Sequence, residues 1–515
     1  MDTLNYMIGV DIGTTSTKAV LFTEQGKIKA TSGGEYPLLT PAPSFAEQDP
    51  DVIFQTVISS IQGVMSDSGI RPDQVLFVSF STAMHSVIAV DKMGKPLTRC
   101  ITWADNRSAE WSERLKKDLG GHEIYLRTGT PIHPMSPLTK LMWLRHEQAS
   151  IFNQAEKFIS IKEYIYYQLF QQYVVDHSIA SATGLLNLNS LNWDEEALQI
   201  AGITEDHLSS LVPTTHIMNG LDPRYAAAMG LSPSTPFVLG ASDGVLSNLG
   251  VNAIKPGVVA ATIGTSGAIR TVVDKPMTDP KGRIFCYALT ENKWVIGGAV
   301  NNGGMIFRWV RDQLAASEVE TAKRLGISPY DVLTKIAERV SPGSDGLLFH
   351  PYLTGERAPL WNPNARGSFF GLTLSHQKEH MIRAVLEGVI FNMYTVLLAM
   401  EEQMGTPSKI HATGGFARSP IWRQMMADIF NQQVIVPESY ESSCLGAVVL
   451  GLYATGRAGS LDIVAHMVGD TFDHQPIHEN AVVYKNLLPI FIRISRKLEE
   501  DYEAISEFQH KFMKS

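Results

Sequence analysis

Gly9-Val10-Asp11-Ile12-Gly13-Thr14-Thr15-Ser16-Thr17-Lys18 lies near the start of the chain, and Ala261-Thr262-Ile263-Gly264-Thr265-Ser266-Gly267-Ala268 repeats its pattern in the second half. In each copy an apolar, β-rich run reaches a glycine, where the backbone can turn with φ > 0. The turn then presents Thr and Ser hydroxyls beside open N–H groups. Such a concavity suits a phosphate. One Gly-Thr-Ser turn alone is more often an ordinary hairpin, but two copies set half the chain apart predict two homologous domains facing one nucleotide. The copies differ at one position: Thr262 stands where the first copy has Asp11.

Working outward, Tyr6 to Val10 and Lys18 to Phe22 read as strands, and a Glu24-Gln25-Gly26 turn leads into a third. Ile53, Val57, Ile61 and Val64 recur at helical spacing behind the start signal Asp49-Pro50. Val75 to Ser81 is another strand, so the first domain reads as layered α/β. The region from Ser108 to Pro213 is mostly helical and reads as a substrate-facing insertion. Pro236 to Gly240 is a strand that ends at Ala241-Ser242-Asp243-Gly244, and from Val258 the plan repeats. The boundary is expected between residues 245 and 256, dividing a first domain, 1–250, from a second, 251–515.

The composition sets limits on function. At 515 residues, 44% hydrophobic and 18% charged, the chain is too long for one core and is built like a soluble globular protein. A formal charge of −9 argues against nucleic acid as a partner, because a polyanion meets repulsion over most of the surface. No run approaches the roughly 18 uninterrupted apolar residues of a membrane span, and no cleavable leader is evident. A cytoplasmic protein with no membrane partner is expected. Cys100, Cys286 and Cys444 lack metal-ligand spacing and are expected as free, buried thiols in a reducing compartment.

Several residues have the chemistry for phosphoryl transfer. Asp11 either caps a turn or holds Mg²⁺, and the adjoining Thr14, Thr15 and Ser16 favour the metal. Lys18 is either a phosphate contact or a surface cation on a strand. Asp243, at the end of a buried-looking strand among small residues, is placed as a general base for a substrate hydroxyl and as a second carboxylate for the metal, besides being a helix cap. Two later glycine clusters, Asn301-Asn302-Gly303-Gly304 and Gly414-Gly415-Phe416-Ala417, each precede a helix and suit phosphate, ribose or adenine. For an acceptor, Met84, His85, Trp103, Asp105 and Arg107 offer a ring face and hydrogen-bond partners, as a polyol demands. The competing reading is a core Trp beside a solvated salt bridge. His133 is a further candidate.

These motifs resemble the FGGY carbohydrate kinases, and the resemblance extends over nearly the whole chain. It is carried by Asp11 to Lys18, Met135-Ser136-Pro137-Leu138-Thr139-Lys140-Leu141-Met142-Trp143, Gly264-Thr265-Ser266, Gly367 to Leu372, Arg383 to Gly388, and Gly414-Gly415. It implies two ribonuclease H-like α/β domains of the sugar kinase, Hsp70 and actin ATPase type, with a cleft between them. It also implies ATP and Mg²⁺ bound between those domains, Asp243 as the base, Asp11 as the metal-associated carboxylate, and Thr14, Thr15, Ser16, Lys18 and Thr265 at phosphate. Gly304, Arg308, Gly415 and Ser419 fall near the nucleotide, and Met84, His85 and Trp103 at the sugar. Phe416 departs from the pattern, since many relatives have a third glycine there.

Within the family, Ala83 to Ser86, Ile101 to Arg107, Arg127 to Met135 and Gly240 to Asn248 resemble members that act on gluconate. This implies ATP-dependent transfer to the terminal hydroxyl of D-gluconate, with Arg107, His85 or His133 holding its carboxylate. A pentulose or polyol kinase for xylulose, ribulose or glycerol is the alternative, and a non-catalytic nucleotide switch a weaker one. The resemblance also allows a homodimer.

Overall fold

The computed structural model describes residues 5–437 and 441–512. The chain divides into two units. The first comprises Met1–Ile254, Val272–Ile296 and Glu441–Gly469; the second comprises Lys255–Thr271, Gly297–Tyr440 and Asp470–Ser515. A single cut near residue 250 therefore leaves out two later segments that belong with the first unit.

The sheet of the first unit is built around β1 (Tyr6–Ile12), which pairs antiparallel with β2 (Ser16–Thr23), itself antiparallel to β3 (Ile28–Glu35). On the other side β4 (Val75–Thr82) runs parallel to β1; beyond β5 (Ile217–Met218) in sequence, β6 (Phe237–Ser242) runs parallel to β4. The sheet order is β5-β6-β4-β1-β2-β3. Central β1 and β4 are buried nearly throughout, hence their continuous apolar character, whereas edge strand β3 is largely exposed. Register then fixes the site. Asp11 stands opposite Lys18 on β2 and Ser81 on β4, and Ser242 of β6 stands opposite Thr82. Three strands thus end side by side at their carboxyl termini, the position where open α/β sheets hold ligands.

Helix Pro50–Ser68 covers this sheet. It begins as its sequence signals: Asp49 accepts from the Asp51 and Val52 N–H groups, Pro50 occupies the first turn, and Gly69 ends it in the left-handed conformation. Its buried stripe includes Ile53, Phe54, Val57, Ile61 and Val64, each worth roughly 1.5–3 kcal/mol of burial. The 108–213 region contains seven short helices, among them Pro137–Glu147, and a second apolar cluster with Trp111, Leu141, Phe158 and Ile179, while helix Ile161–Phe170 packs into the core of the sheet. Helix Ser442–Ala454 packs on helix Asp243–Gly250 so closely that a Cβ at Gly250 or Gly446 would run into the carbonyl of Ser442 or Leu246. That contact fixes the helix whose first residue is Asp243.

The second unit repeats the arrangement. β7 (Val258–Ile263) pairs antiparallel with β8 (Gly267–Val273) and parallel with β9 (Lys409–Thr413). β10 (Val434–Pro437) continues the parallel side, and β11 (Thr471–His474) closes it antiparallel. Helix Lys378–Met404 is, among the described residues, the one long and apolar enough to cross a membrane, with hydropathy 1.5 over its window. Yet 78% of that window is buried in the fold. Arg383 and Glu387 pair at 2.7 Å within it, and Glu387 also accepts from Gly343 N, Ser344 Oγ and Tyr484 OH. It is a core helix fastened by a buried polar network. The three cysteines are buried and free.

Candidate functional site

The ends of β1 and β6 bring two carboxylates into electrostatic contact. Ser81 Oγ donates to Asp11 Oδ1 at 2.6 Å. Desolvation, and next the charge of Asp243, push the Asp11 carboxyl up to about 7, against the Ser81 hydrogen bond. Asp243 is the first residue of its helix and accepts from Gly244 N at 2.7 Å, while Ser242 occupies the cap position. Behind it, Ser242 N donates to Ser178 Oγ at 3.2 Å, and buried Lys162 donates to Asp176 at 2.7 Å and to the Ala241 carbonyl at 3.5 Å. The strand end carrying Asp243 is therefore held from inside the unit. Lys18 is half-exposed and pairs with Glu441 at 2.9 Å. Burial pushes its ammonium down and the Glu441 bond pushes it up, with the net shift upward.

The turn at Gly13-Thr14-Thr15 is pinned by its neighbours. Gly13 N donates to Ser16 O at 2.9 Å, Tyr36 OH donates to Gly13 O at 2.7 Å, and Tyr36 N donates to Thr15 O at 3.0 Å. Gln48 donates its amide to the Thr14 carbonyl, and Trp103 Nε1 donates to Thr14 Oγ1 at 2.7 Å. Thr14, Met84, Trp103 and Gln48 share one small pocket in this unit; the sequence offered no motif for Gln48. His85 adopts a left-handed φ of 69°, and its Nδ1 lies 2.7 Å from the Ala182 carbonyl. Since a carbonyl only accepts, Nδ1 carries the proton. Nε2 lies 3.5 Å from Tyr287 OH.

Asp105 and Arg107 are engaged with each other. Asp105 is fully buried and accepts from Ala46 N and from Arg107 N, Nε and Nη2. Arg107 also donates to Glu47 at 2.6 Å, and its guanidinium lies 3.7 Å from the Phe45 ring centroid. These polar groups brace the Trp103 loop. His133 accepts at Nδ1 from Met135 N at 3.1 Å. Lys140 is buried among three backbone carbonyls; desolvation pushes its ammonium down to about 7, with Asp105 and Cys100 opposing and Arg107 reinforcing.

In the second unit the separate glycine clusters converge. Gly304 N donates to Gly264 O at 2.7 Å and Met305 N to Thr265 O at 3.1 Å. A Cβ at Gly303 would strike Ser266, and one at Gly414, where φ is +102°, would strike the Ile263 carbonyl. Gly415 and Thr265 are exposed, as is Arg308 on the helix that follows Gly303. Ser419 caps helix Pro420–Phe430 by accepting from Trp422 N at 3.4 Å. Phe416, the departure from the family pattern, is buried edge-on against Trp422. Thr262 Oγ1 is buried with no hydrogen-bond partner among the described residues. Buried Glu356, which carries no motif, holds the glycine turn by accepting from Asn301 N at 2.5 Å and Asn302 Nδ2 at 3.0 Å. Gly414→Ala, which puts a Cβ into both strain and collision, is expected to cost roughly 1–3 kcal/mol and to weaken ADP binding while leaving acceptor binding unchanged, as read by calorimetry with each ligand.

Comparison with known proteins agrees with this geometry. The chain is 64% identical, over 98% of its length and 98% of the relative's, to a gluconokinase of Bacillus subtilis (strain 168). It matches the crystal structure of a gluconate kinase from Lactobacillus acidophilus with TM-score 0.92 and 38% identity, covering 98% of this chain and 100% of that one. It matches a ligand-bound xylulose kinase from Lactobacillus acidophilus with TM-score 0.92 and 38% identity, covering 97% and 100%. Residues 6–250 match the N-terminal domain of the FGGY family of carbohydrate kinases and residues 259–455 its C-terminal domain. With a carboxylate pair at the strand ends of one unit and a glycine cradle in the other, the chain belongs to the FGGY family of carbohydrate kinases.

Proposed function

We propose that this protein transfers the γ-phosphoryl group of ATP to the terminal hydroxyl of D-gluconate, giving 6-phospho-D-gluconate. The observation that carries this reading is the near full-length likeness to a gluconokinase. Phosphoryl transfer asks little covalent work of a protein; it asks for alignment, charge neutralisation and a proton acceptor. Asp243 takes the proton of the attacking hydroxyl. Met84, His85 and Trp103 face the sugar and Thr14, Thr15 and Ser16 the phosphates, while the turns at Gly264-Thr265, Gly303-Gly304 and Gly414-Gly415 hold the nucleotide.

Among the described residues no group of three His, Cys, Asp or Glu is able to hold a metal. Mg²⁺ does not require such a cage, since it binds through one or two carboxylates plus substrate phosphates. Asp11 and Asp243 fit that role, and the ion would neutralise charge on the phosphates. The same reading places the enzyme in the cytoplasm, where ATP is available, and a homodimer is checked by light scattering.

The solved xylulose kinase, as similar as the solved gluconate kinase, supports a pentulose acceptor as the second reading. A coupled ADP-release assay separates the two: gluconate is expected to drive turnover well above xylulose, ribulose and glycerol. Turnover on xylulose with none on gluconate would overturn the proposal.

A further inference from the structure

An ammonium taken out of water needs an acceptor for each of its three N–H donors. Lys140, on helix Pro137–Glu147, is fully buried and finds all three in the backbone. Its Nζ donates to the carbonyl of His85 at 2.7 Å, of Thr102 at 2.7 Å and of Met135 at 2.8 Å. These carbonyls belong to three segments distant in sequence. The first follows β4 and carries Met84 and His85, the second leads into Trp103, and the third is the His133 turn. None of the acceptors is a carboxylate, and the charged or titratable groups acting on Lys140 are Asp105, Cys100 and Arg107. His85, moreover, holds a left-handed backbone that a non-glycine residue adopts only when its surroundings impose it. The Lys140 bond reaches the carbonyl of this same residue.

We propose that Lys140 is a positioning residue for the acceptor: its ammonium ties the three loops that face the sugar into one rigid wall, and so governs how tightly and how selectively the polyhydroxy acid is held without touching it. A salt bridge to one loop would anchor that loop alone; a point charge with three donors anchors three at once. Lysine suits this task better than arginine, whose planar fork cannot aim at three converging carbonyls. The inference rests on gluconate being the acceptor, which turnover by the unaltered enzyme tests separately.

The test compares Lys140→Met and Lys140→Arg with the unaltered enzyme, each checked for cooperative melting and its stabilisation by ADP. Misplacing a bound reactant by about 1 Å costs on the order of 10²-fold in rate. Both variants are therefore expected to lower kcat/KM for gluconate by roughly 10–100-fold and leave KM for ATP nearly unchanged. Lys140→Arg keeps the charge and keeps the experiment readable if the methionine variant does not fold. A second readout needs no variant: amide exchange on the unaltered enzyme should show gluconate slowing segments 83–87, 101–106 and 133–136 together. An unchanged kcat/KM for gluconate in a folded variant, a parallel rise in KM for ATP, or protection of only one of the three segments overturns the proposal.

Discussion

Asp243→Asn is expected to lower kcat by about 10²–10⁴-fold, the usual contribution of a general base, with ADP affinity nearly unchanged. Asparagine keeps the size and the acceptor oxygen that receives the Gly244 N–H bond, so the helix start survives. It loses the lone-pair basicity that receives the hydroxyl proton. The strand end is held independently, through Ser178 and through Lys162 with Asp176, so a collapse of the site is not expected. The proposed nucleotide cradle is assembled from residues of the second unit, Gly264, Gly304 and Gly414, none of which touches this change. Steady-state kinetics with gluconate, together with calorimetric titration of ADP, decides the matter. A variant retaining wild-type kcat would remove Asp243 from the role of base.

Arg107→Ala is expected to destabilise the first unit by about 3–5 kcal/mol, the range for removing one partner from a buried ion pair. The guanidinium is nearly inaccessible and satisfies both Asp105, which is fully buried, and Glu47. Without it two carboxylates stay in place with their main counter-charge gone, and the packing on Phe45 and Trp143 is lost as well. Denaturant unfolding followed by tryptophan fluorescence measures the loss, and Arg107→Lys should recover only part of it, since an ammonium lacks the bidentate fork. This prediction also separates two roles for Arg107. A residue that only gripped the gluconate carboxylate would raise KM for gluconate and leave stability unchanged.

The elements of the site differ in how far the sequence reveals them. The strand and turn pattern around Gly13 and Gly264 was readable because a pleated strand and a glycine turn are local events. The structure places β1 and β2 around the first turn and β7 and β8 around the second, with the same antiparallel and parallel partners. Helix Pro50–Ser68 was readable for the same reason, with its cap and its 3.6-residue period both written in adjacent residues. By contrast, Lys18 was left between phosphate contact and surface cation, and its ion pair is with Glu441. No local pattern joins two residues so far apart. The same holds for Gln48 on the Thr14 carbonyl and Glu356 beneath Asn302.

The sequence by itself therefore determined the duplicated α/β plan, the two Gly-Thr turns, and the asymmetry that gives one copy Asp11 and the other Thr262. These follow from the spacing of apolar residues and from the short turn between paired strands, although neither Gly13 nor Gly264 takes the positive φ expected of it. Only the tertiary structure decided which groups are available for chemistry. Arg107, which with Asp105 read either as a sugar contact or as a salt bridge beside a core Trp, is paired to Asp105 and to Glu47. Lys140, which reads as one residue of a helical motif, lies beneath three loops. The physical reason is that burial and partner choice depend on segments the chain brings together from far apart. A charge's role is set by what surrounds it in space, while its neighbours in sequence set only the backbone that carries it.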